Sequence, residues 1–293
     1  MARKSEPLHV ALTVDADADA NRPAPGREEA ASPGGKACYD ACTEGLRTLS
    51  ALTGELRLTC TIFWEAHCLQ ALGNSDPALL KALMTRADIE HGCHGLAHED
   101  FAGRANGRPI GAERTLAILS EASELIARAV GAQPAGFRAP YCRLTPSLED
   151  ALRTLHYRYD ASLTRSAGAR RHLRPYLLPP RQPGASPLHE LAMSSTLDAH
   201  GRRMTGYLWR LFEGTRQPQE YVDYVSGFTP RFGGGLLQLA LHPWHLCVDQ
   251  DGHLQPARRR SGALSGLRRV LEAVAALPGV RFTTAGGYLR EHL

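Results

Sequence analysis

Residues Val10–Ala20 read VALTVDADADA. Five residues with no charge, Val10 to Val14, give way at once to Asp15, Asp17 and Asp19. The apolar run is short and β-branched, which reads as a buried strand. Alternate residues of an extended chain point to one side, so the spacing places three carboxylates along one edge of a strand end. Their mutual repulsion needs a compensating partner. α/β folds gather their functional groups at the carboxyl ends of strands, which makes this stretch the first place to look for one.

Working outward, apolar β-rich runs alternate with helical patterns. Strands are predicted at 10–14, 57–64, 135–139, 156–163, 188–193, 236–241 and 280–284, with a short strand and a His-rich turn within 87–100. Helices are predicted at 39–53, 77–86, 112–130, 146–155 and 264–277. In the third, Leu116, Leu119, Ala122, Leu125 and Ile126 recur at helical spacing. In the fourth, Thr145 is a plausible N-cap and Pro146 takes the first helical position. Repeated β–α alternation predicts a mostly parallel sheet, open or closed into a barrel. There is no internal repeat and no clear linker, so one domain over 1–293 is the simplest organisation. Two stretches interrupt it: a Pro/Gly-rich loop at 21–36 and an Arg/Pro-rich excursion at 165–187.

The chain has 293 residues, 43% hydrophobic and 22% charged, values ordinary for a soluble globular protein. A net charge of +4 is too small to suggest a dedicated nucleic-acid binder. The basic clusters at 169–175 and 257–262 read as solvated faces. There is no apolar leader ahead of the first strand and no run of 18 or more apolar residues, so a cytoplasmic protein with no transmembrane segment is expected. Seven cysteines at scattered spacings fit free thiols; Cys38 and Cys42 alone do not complete a zinc site.

Three further stretches carry chemistry. HGCHGLAHED, residues 91–100, sets His94 and His98 four apart, which on one helical turn brings both imidazoles to one face within reach of a single metal ion. His91 is less well placed. GFRAPY, residues 136–141, ends a strand with Arg138, a group able to hold a neighbouring carboxylate ionised. LLQLALHPWHLC, residues 236–247, ends an apolar run with His242, and Pro243 stops the strand. His245 follows in the loop and reads as incidental.

Strand-end Asp-x-Asp, then His-x-x-x-His, then Arg-x-Pro-Tyr, then Leu-x-Leu-His-Pro: this order resembles the polysaccharide deacetylase superfamily, carbohydrate esterase family four. The first motif resembles a branch with one residue between its two aspartates, which includes peptidoglycan-type deacetylases and the deformylase of a lipid-linked amino sugar. The resemblance runs from Val10 through YDASL (159–163) and LHELAMSSTLD (188–198) to GVRFTTAGGYL near the C-terminus, and lapses in 21–36 and 165–187, which are expected to shape the substrate cleft. It implies a distorted (β/α) barrel of about seven parallel strands. It implies Zn2+ or another divalent transition metal on Asp17, His94 and His98. It further implies Asp15 as general base, Arg138 as its charge partner, His242 as general acid, a backbone N–H at Tyr141 facing an oxyanion, and Asp160 orienting His242. The tryptophan that the family often places just after the Asp160 motif is missing. Asp19 has no counterpart and is expected in the loop at the cleft mouth, solvated or touching substrate.

The implied activity is removal of an acetyl or formyl group from an N-acylated amino sugar or related small amide. A saccharide or small molecule is the expected substrate, with no nucleic-acid partner, and self-association into a homo-oligomer is left open. Other readings are a metal-independent cyclic amide or ureide hydrolase of the same fold and a non-catalytic carbohydrate-binding module. A zinc-dependent nucleic-acid binder lacks both the cysteine spacing and the basic face.

Overall fold

The computed structural model describes residues 6–166, 173–181, 183–229 and 233–293. The strand that opens the chain, Leu8–Ala16, is buried along its whole length, as is Leu236–Leu241 beside it. Strands covered on both faces read as continuous apolar runs, which is why these two stand out in the sequence. They pair side by side at one end of a nine-stranded curled sheet. Its order runs Leu236–Leu241, Leu8–Ala16, Cys60–Trp64, Ile89–Cys93, Gly136–Phe137, Tyr159–Asp160, His189–Glu190 and finally Tyr176–Leu177. Val280–Phe282 adds to the N-terminal half of Leu8–Ala16. All of these pairings are parallel except that of Tyr176–Leu177, which runs antiparallel to its neighbour. The result is a distorted, incompletely closed (β/α) barrel.

Register is what positions the chemistry. Val14 pairs with Leu241, Asp15 with Phe63, Trp64 with Cys93, and Cys93 with Phe137. His242, His94 and Arg138 each follow one residue beyond a paired position. The pairings therefore deliver them to the same end of the sheet as Asp15.

Helices cover the outside. Ala112–Val130 buries Ile118, Leu119, Ala122 and Ile126 and stops at Gly131, whose φ of 83° suits glycine. Pro146–Thr154 starts where Thr145 accepts the Leu148 N–H through its hydroxyl at 3.2 Å. Asp40–Leu56 ends in a left-handed Arg57, so the strand predicted from 57 begins at Cys60. A left-handed turn at His156 (φ 60°) shortens the strand predicted at 156–163 to Tyr159–Asp160. The strand predicted at 188–193 divides: His189–Glu190 stays in the main sheet, while Met193–Leu197 joins Thr164–Ser166 and Arg203–Thr205 in a separate small sheet. Ala257–Ala275 starts earlier than predicted and absorbs the basic cluster 257–262. The structure adds the short helices Ala66–Ser75, Pro218–Ser226 and Ala285–His292, which the sequence pattern did not single out. Within the loop at 21–36, Arg22–Pro23 pairs with Ala30–Ala31 in a small antiparallel ribbon. Most of the basic cluster at 169–175 lies outside the described residues.

Candidate functional site

Beyond Ala16 the chain leaves the sheet and is pinned by buried carboxylates. Glu65 Oε2 accepts the Ala18 N–H at 2.9 Å. The Asp19 carboxylate accepts the N–H groups of Ala41 at 2.9 Å and Cys42 at 2.7 Å, the first turn of helix Asp40–Leu56. A helix start leaves such N–H groups without partners and favours a carboxylate beside them. Asp19 is buried, and its structural place is this cap. It is neither solvated nor part of the wall of the cavity described below, which corrects the expectation for it.

Held at both ends, the turn presents Asp17 inward. Its Oδ1 accepts the indole N–H of Trp244 at 2.9 Å. Its Oδ2 has no hydrogen-bond partner among the described residues and lies 3.2 Å from His98 Nε2, 3.6 Å from His242 Nε2 and 3.8 Å from His94 Nε2. Burial works to raise the Asp17 pKa, but the imidazoles, His242 foremost, hold it below the usual carboxylate range. His94 Nδ1 lies 2.7 Å from the Arg138 carbonyl, so it carries the proton and leaves Nε2 as a bare acceptor facing Asp17. Burial lowers the His94 pKa to about 4, which keeps the ring neutral.

His94 and His98 are not on a helical turn. They lie in the loop after strand Ile89–Cys93, where His98 takes a left-handed conformation with φ 53°. The two rings meet edge to face, 4.9 Å between centroids.

These three side chains fit a metal. They are buried, and one ligand atom from each lies within 4.8 Å of the others. Asp17 Oδ2 and His94 Nε2 have no hydrogen-bond partner among the described residues, an uncommon state for buried polar atoms. Ligands about 2.0–2.1 Å from one tetrahedral metal stand roughly 3.3 Å apart, close to the spacings seen here. Two imidazoles and a carboxylate suit a divalent transition metal. The Arg138 carbonyl and the Trp244 indole orient the ligands from behind.

Asp15 sits beside this group in a different setting. Its Oδ1 pairs with Arg138 Nη1 at 2.7 Å, and its Oδ2 accepts the Tyr207 phenol at 3.1 Å. Burial opposes its ionisation, but the Arg138 guanidinium outweighs it and holds the pKa below the usual value. Arg138 is fully buried and spends its donors on Asp15, Thr13 Oγ1 (3.0 Å), the Ala161 carbonyl (3.1 Å) and Gln238 Oε1 (2.5 Å). His242 faces both aspartates, with Nε2 4.0 Å from Asp15 Oδ2. Tyr207 stacks on its ring at 6.2 Å and 15°, and Trp244 tilts against it at 5.3 Å.

Tyr141 and Cys142 form a sharp reversal, with φ of 58° and 55°. Non-glycine residues seldom adopt this conformation, and it concentrates at functional sites. The Tyr141 N–H has no acceptor among the described residues, and its ring stands edge-on to His98 at 4.6 Å.

Asp160 does not partner His242. Its carboxylate accepts from the Ser162 hydroxyl at 2.6 Å and the Ser162 N–H at 3.2 Å, and Ser162 Oγ in turn accepts the Ala139 N–H at 2.7 Å. Asp160 thus braces the segment that carries Arg138 and Tyr141. His242 Nδ1 has no hydrogen-bond partner among the described residues. Cys42 is buried with its Sγ 3.6 Å from Cys68, while Cys38 is exposed, so Cys38 and Cys42 are not a metal pair.

A cavity of about 500 Å³ opens over the group. Asp15, His94, His98, Tyr141, Tyr207 and His242 line its inner part. Asn21, Arg22 and Pro23 of the loop at 21–36 contribute to its rim, whereas no described residue of 165–187 does. Sequence reasoning missed Tyr207 and Trp244. Trp244 lay within a stretch already quoted. Tyr207 carried no motif at all.

No family model matches the chain, and no curated protein matches it. Solved structures do. A protein from Mycobacterium smegmatis assigned to the polysaccharide deacetylases aligns over 100% of this chain and 92% of its own, with TM-score 0.67 and 20% identity. PuuE allantoinase aligns over 98% and 91%, with TM-score 0.66 and 15% identity. A 4-alpha-glucanotransferase from Thermococcus litoralis aligns over 98% of this chain but only 40% of its own, with TM-score 0.64 and 13% identity. The likeness is one of fold: this chain has the curled (β/α) architecture of the polysaccharide deacetylases and of PuuE allantoinase, which the glucanotransferase also carries.

Proposed function

We propose that the protein is a metal-dependent amide hydrolase that removes an acyl group, acetyl or formyl, from an N-acylated amino sugar or a related small amide. One fold hosts several chemistries, so the reading rests on the site. The observation that carries it is the buried Asp17–His94–His98 group, with bare acceptor atoms on Asp17 and His94, flanked by a carboxylate and an imidazole at the base of one cavity.

Asp17, His94 and His98 would hold the metal, which when bound supplies a water with its pKa brought from 15.7 to about 7. Asp15 acts as general base. It is kept ionised by Arg138 and takes the water's proton at Oδ2, the oxygen turned toward His242. The Tyr141 N–H is free to donate to the oxygen that gains charge at the carbonyl, and one such donor is worth about 3 kcal/mol of transition-state stabilisation. An amine leaves poorly unless protonated, so His242 donates to it from Nε2 and must be cationic to do so. Arg138 and Asp160 touch no substrate in this scheme; they hold Asp15 and the Ala139–Tyr141 segment in place.

PuuE allantoinase shares the fold, and a metal-independent cyclic ureide hydrolase is the competing reading. The bare Asp/His/His group favours the first. The test is acetate or formate release from a panel of monomeric and polymeric N-acyl amino sugars, with and without chelator, alongside metal analysis. Acyl release abolished by chelator and restored by Zn2+ is expected. Chelator-insensitive turnover, or none on any acylated amine, overturns the proposal.

A further inference from the structure

Tyr207 touches both groups that move protons in the proposed reaction. Its hydroxyl is 3.1 Å from Asp15 Oδ2, and its ring lies parallel to His242 at 6.2 Å. The phenol O–H donates and the carboxylate oxygen accepts. The Cys142 Sγ, 3.0 Å from the same hydroxyl, then supplies its S–H to the phenol oxygen. This gives a directed chain from thiol to phenol to carboxylate. Burial and the Asp15 charge push the phenol well above its ordinary pKa, so it stays protonated.

The backbone holds Tyr207 as firmly as the side chain. Tyr207 bridges to Ala240 in strand Leu236–Leu241, two residues before His242. The Ala240 N–H donates to the Gly206 carbonyl at 2.9 Å, and the Leu208 N–H to the Ala240 carbonyl at 2.8 Å. Gly206 packs so close to the Gln238 backbone that a Cβ there would overlap it. The Tyr221 hydroxyl donates to the Tyr207 carbonyl at 2.9 Å. One strand therefore sets the positions of His242 and of the tyrosine that faces it.

We propose that Tyr207 is a positioning residue of this site: its hydroxyl holds Asp15 Oδ2 in place and its ring backs His242, so that it sets the spacing between base and acid. The proposal rests on the amide-hydrolase reading above. It goes beyond it, because Tyr207 belongs to none of the motifs through which the site was recognised.

Tyr207→Phe keeps the ring and removes only the donor. Hydrogen bonds to charged groups are worth enough to predict a fall in kcat of about 10- to 100-fold. KM should stay within about twofold, with metal content and thermal midpoint unchanged, because the hydroxyl touches the base and not the ground-state substrate. A kcat within about twofold of wild type overturns the proposal, as does a rise in KM at constant kcat. Should the Phe variant fail to fold or to load metal, 3-fluorotyrosine at position 207 keeps the shape and alters only the hydroxyl's acidity; an unchanged kcat there overturns the proposal equally. A wild-type protein that releases no acyl group from any N-acyl amine overturns the function and this inference together. A wild type that turns over while Tyr207→Phe keeps full kcat overturns this inference alone.

Discussion

At Asp17 one oxygen is turned to the Trp244 indole and the other to three imidazoles. Partners that orient a ligand from behind commonly matter 10- to 100-fold in metal affinity. Trp244→Phe keeps the ring and loses the N–H, so zinc affinity should fall by about that factor in a chelator-competition titration, with activity recovering at higher zinc. Asp15 has the same residue type two positions earlier and a different partner set, an arginine and a phenol. Asp15→Asn should retain zinc by metal analysis and lose nearly all turnover, whereas His94→Ala should lose both. Zinc stripped from Asp15→Asn would reverse the assignment of the two aspartates. Asp19 is the third case. Its two bonds cap a helix, so Asp19→Ala should cost about 1 kcal/mol of stability in denaturant unfolding.

At the scale of elements, helix Asp40–Leu56 lies against the turn Pro243–Leu246 that follows His242. Gly45 is the contact point: a Cβ there would run into the Pro243 backbone. Gly45→Ala should therefore destabilise by about 1–3 kcal/mol and lower kcat by displacing His242, read from thermal melts and acyl release on the same sample. On the other side of the barrel, Asp160 and Glu190 bring two buried carboxyls together from paired strands. Burial pushes both up, and the Asp160 charge pushes Glu190 further. A carboxyl with a raised folded pKa binds more protons when folded than when unfolded. Its contribution is best at low pH and is lost as pH climbs from the unfolded value toward the folded one. Glu190→Gln is neutral throughout, so its stability relative to wild type should increase as pH rises above the ordinary carboxylate range, measured by denaturant midpoints. A flat difference would show that folding does not raise the Glu190 carboxyl.

For the whole molecule, the point of interest is how a barrel with an incomplete ladder is held round. Leu236–Leu241 lies at one end of the sheet order and His189–Glu190 near the other. Gln238 bridges them: its Nε2 donates to the Leu191 carbonyl while its Oε1 accepts from Arg138. This polar residue in an otherwise apolar strand is fully buried, and it joins the two sides of the curl to the arginine that holds Asp15. Gln238→Leu leaves a buried guanidinium N–H and a carbonyl unpaired, each worth about 1–3 kcal/mol. Together they should lower stability by about 2–6 kcal/mol, and kcat should fall through Arg138 with zinc content unchanged.

Much of this was legible in the chain itself. The strand 236–241 and the helix 112–130 were predicted with the bounds they have, because burial on both faces and a sustained helical period each repeat a local signal many times. The order of the Asp, His, Arg and His motifs pointed to one end of the sheet. Tertiary structure alone decided what each residue does there. The three aspartates are chemically equal along the sequence and acquire different surroundings only when indole, guanidinium, phenol and helix N–H groups arrive from distant parts of the chain. His94 and His98 meet through a left-handed loop residue, not a helical turn. Asp160 turned to Ser162 instead of His242. Tyr207 reaches Asp15 across 192 residues of chain, a contact made by the curl of the sheet and written in no local pattern.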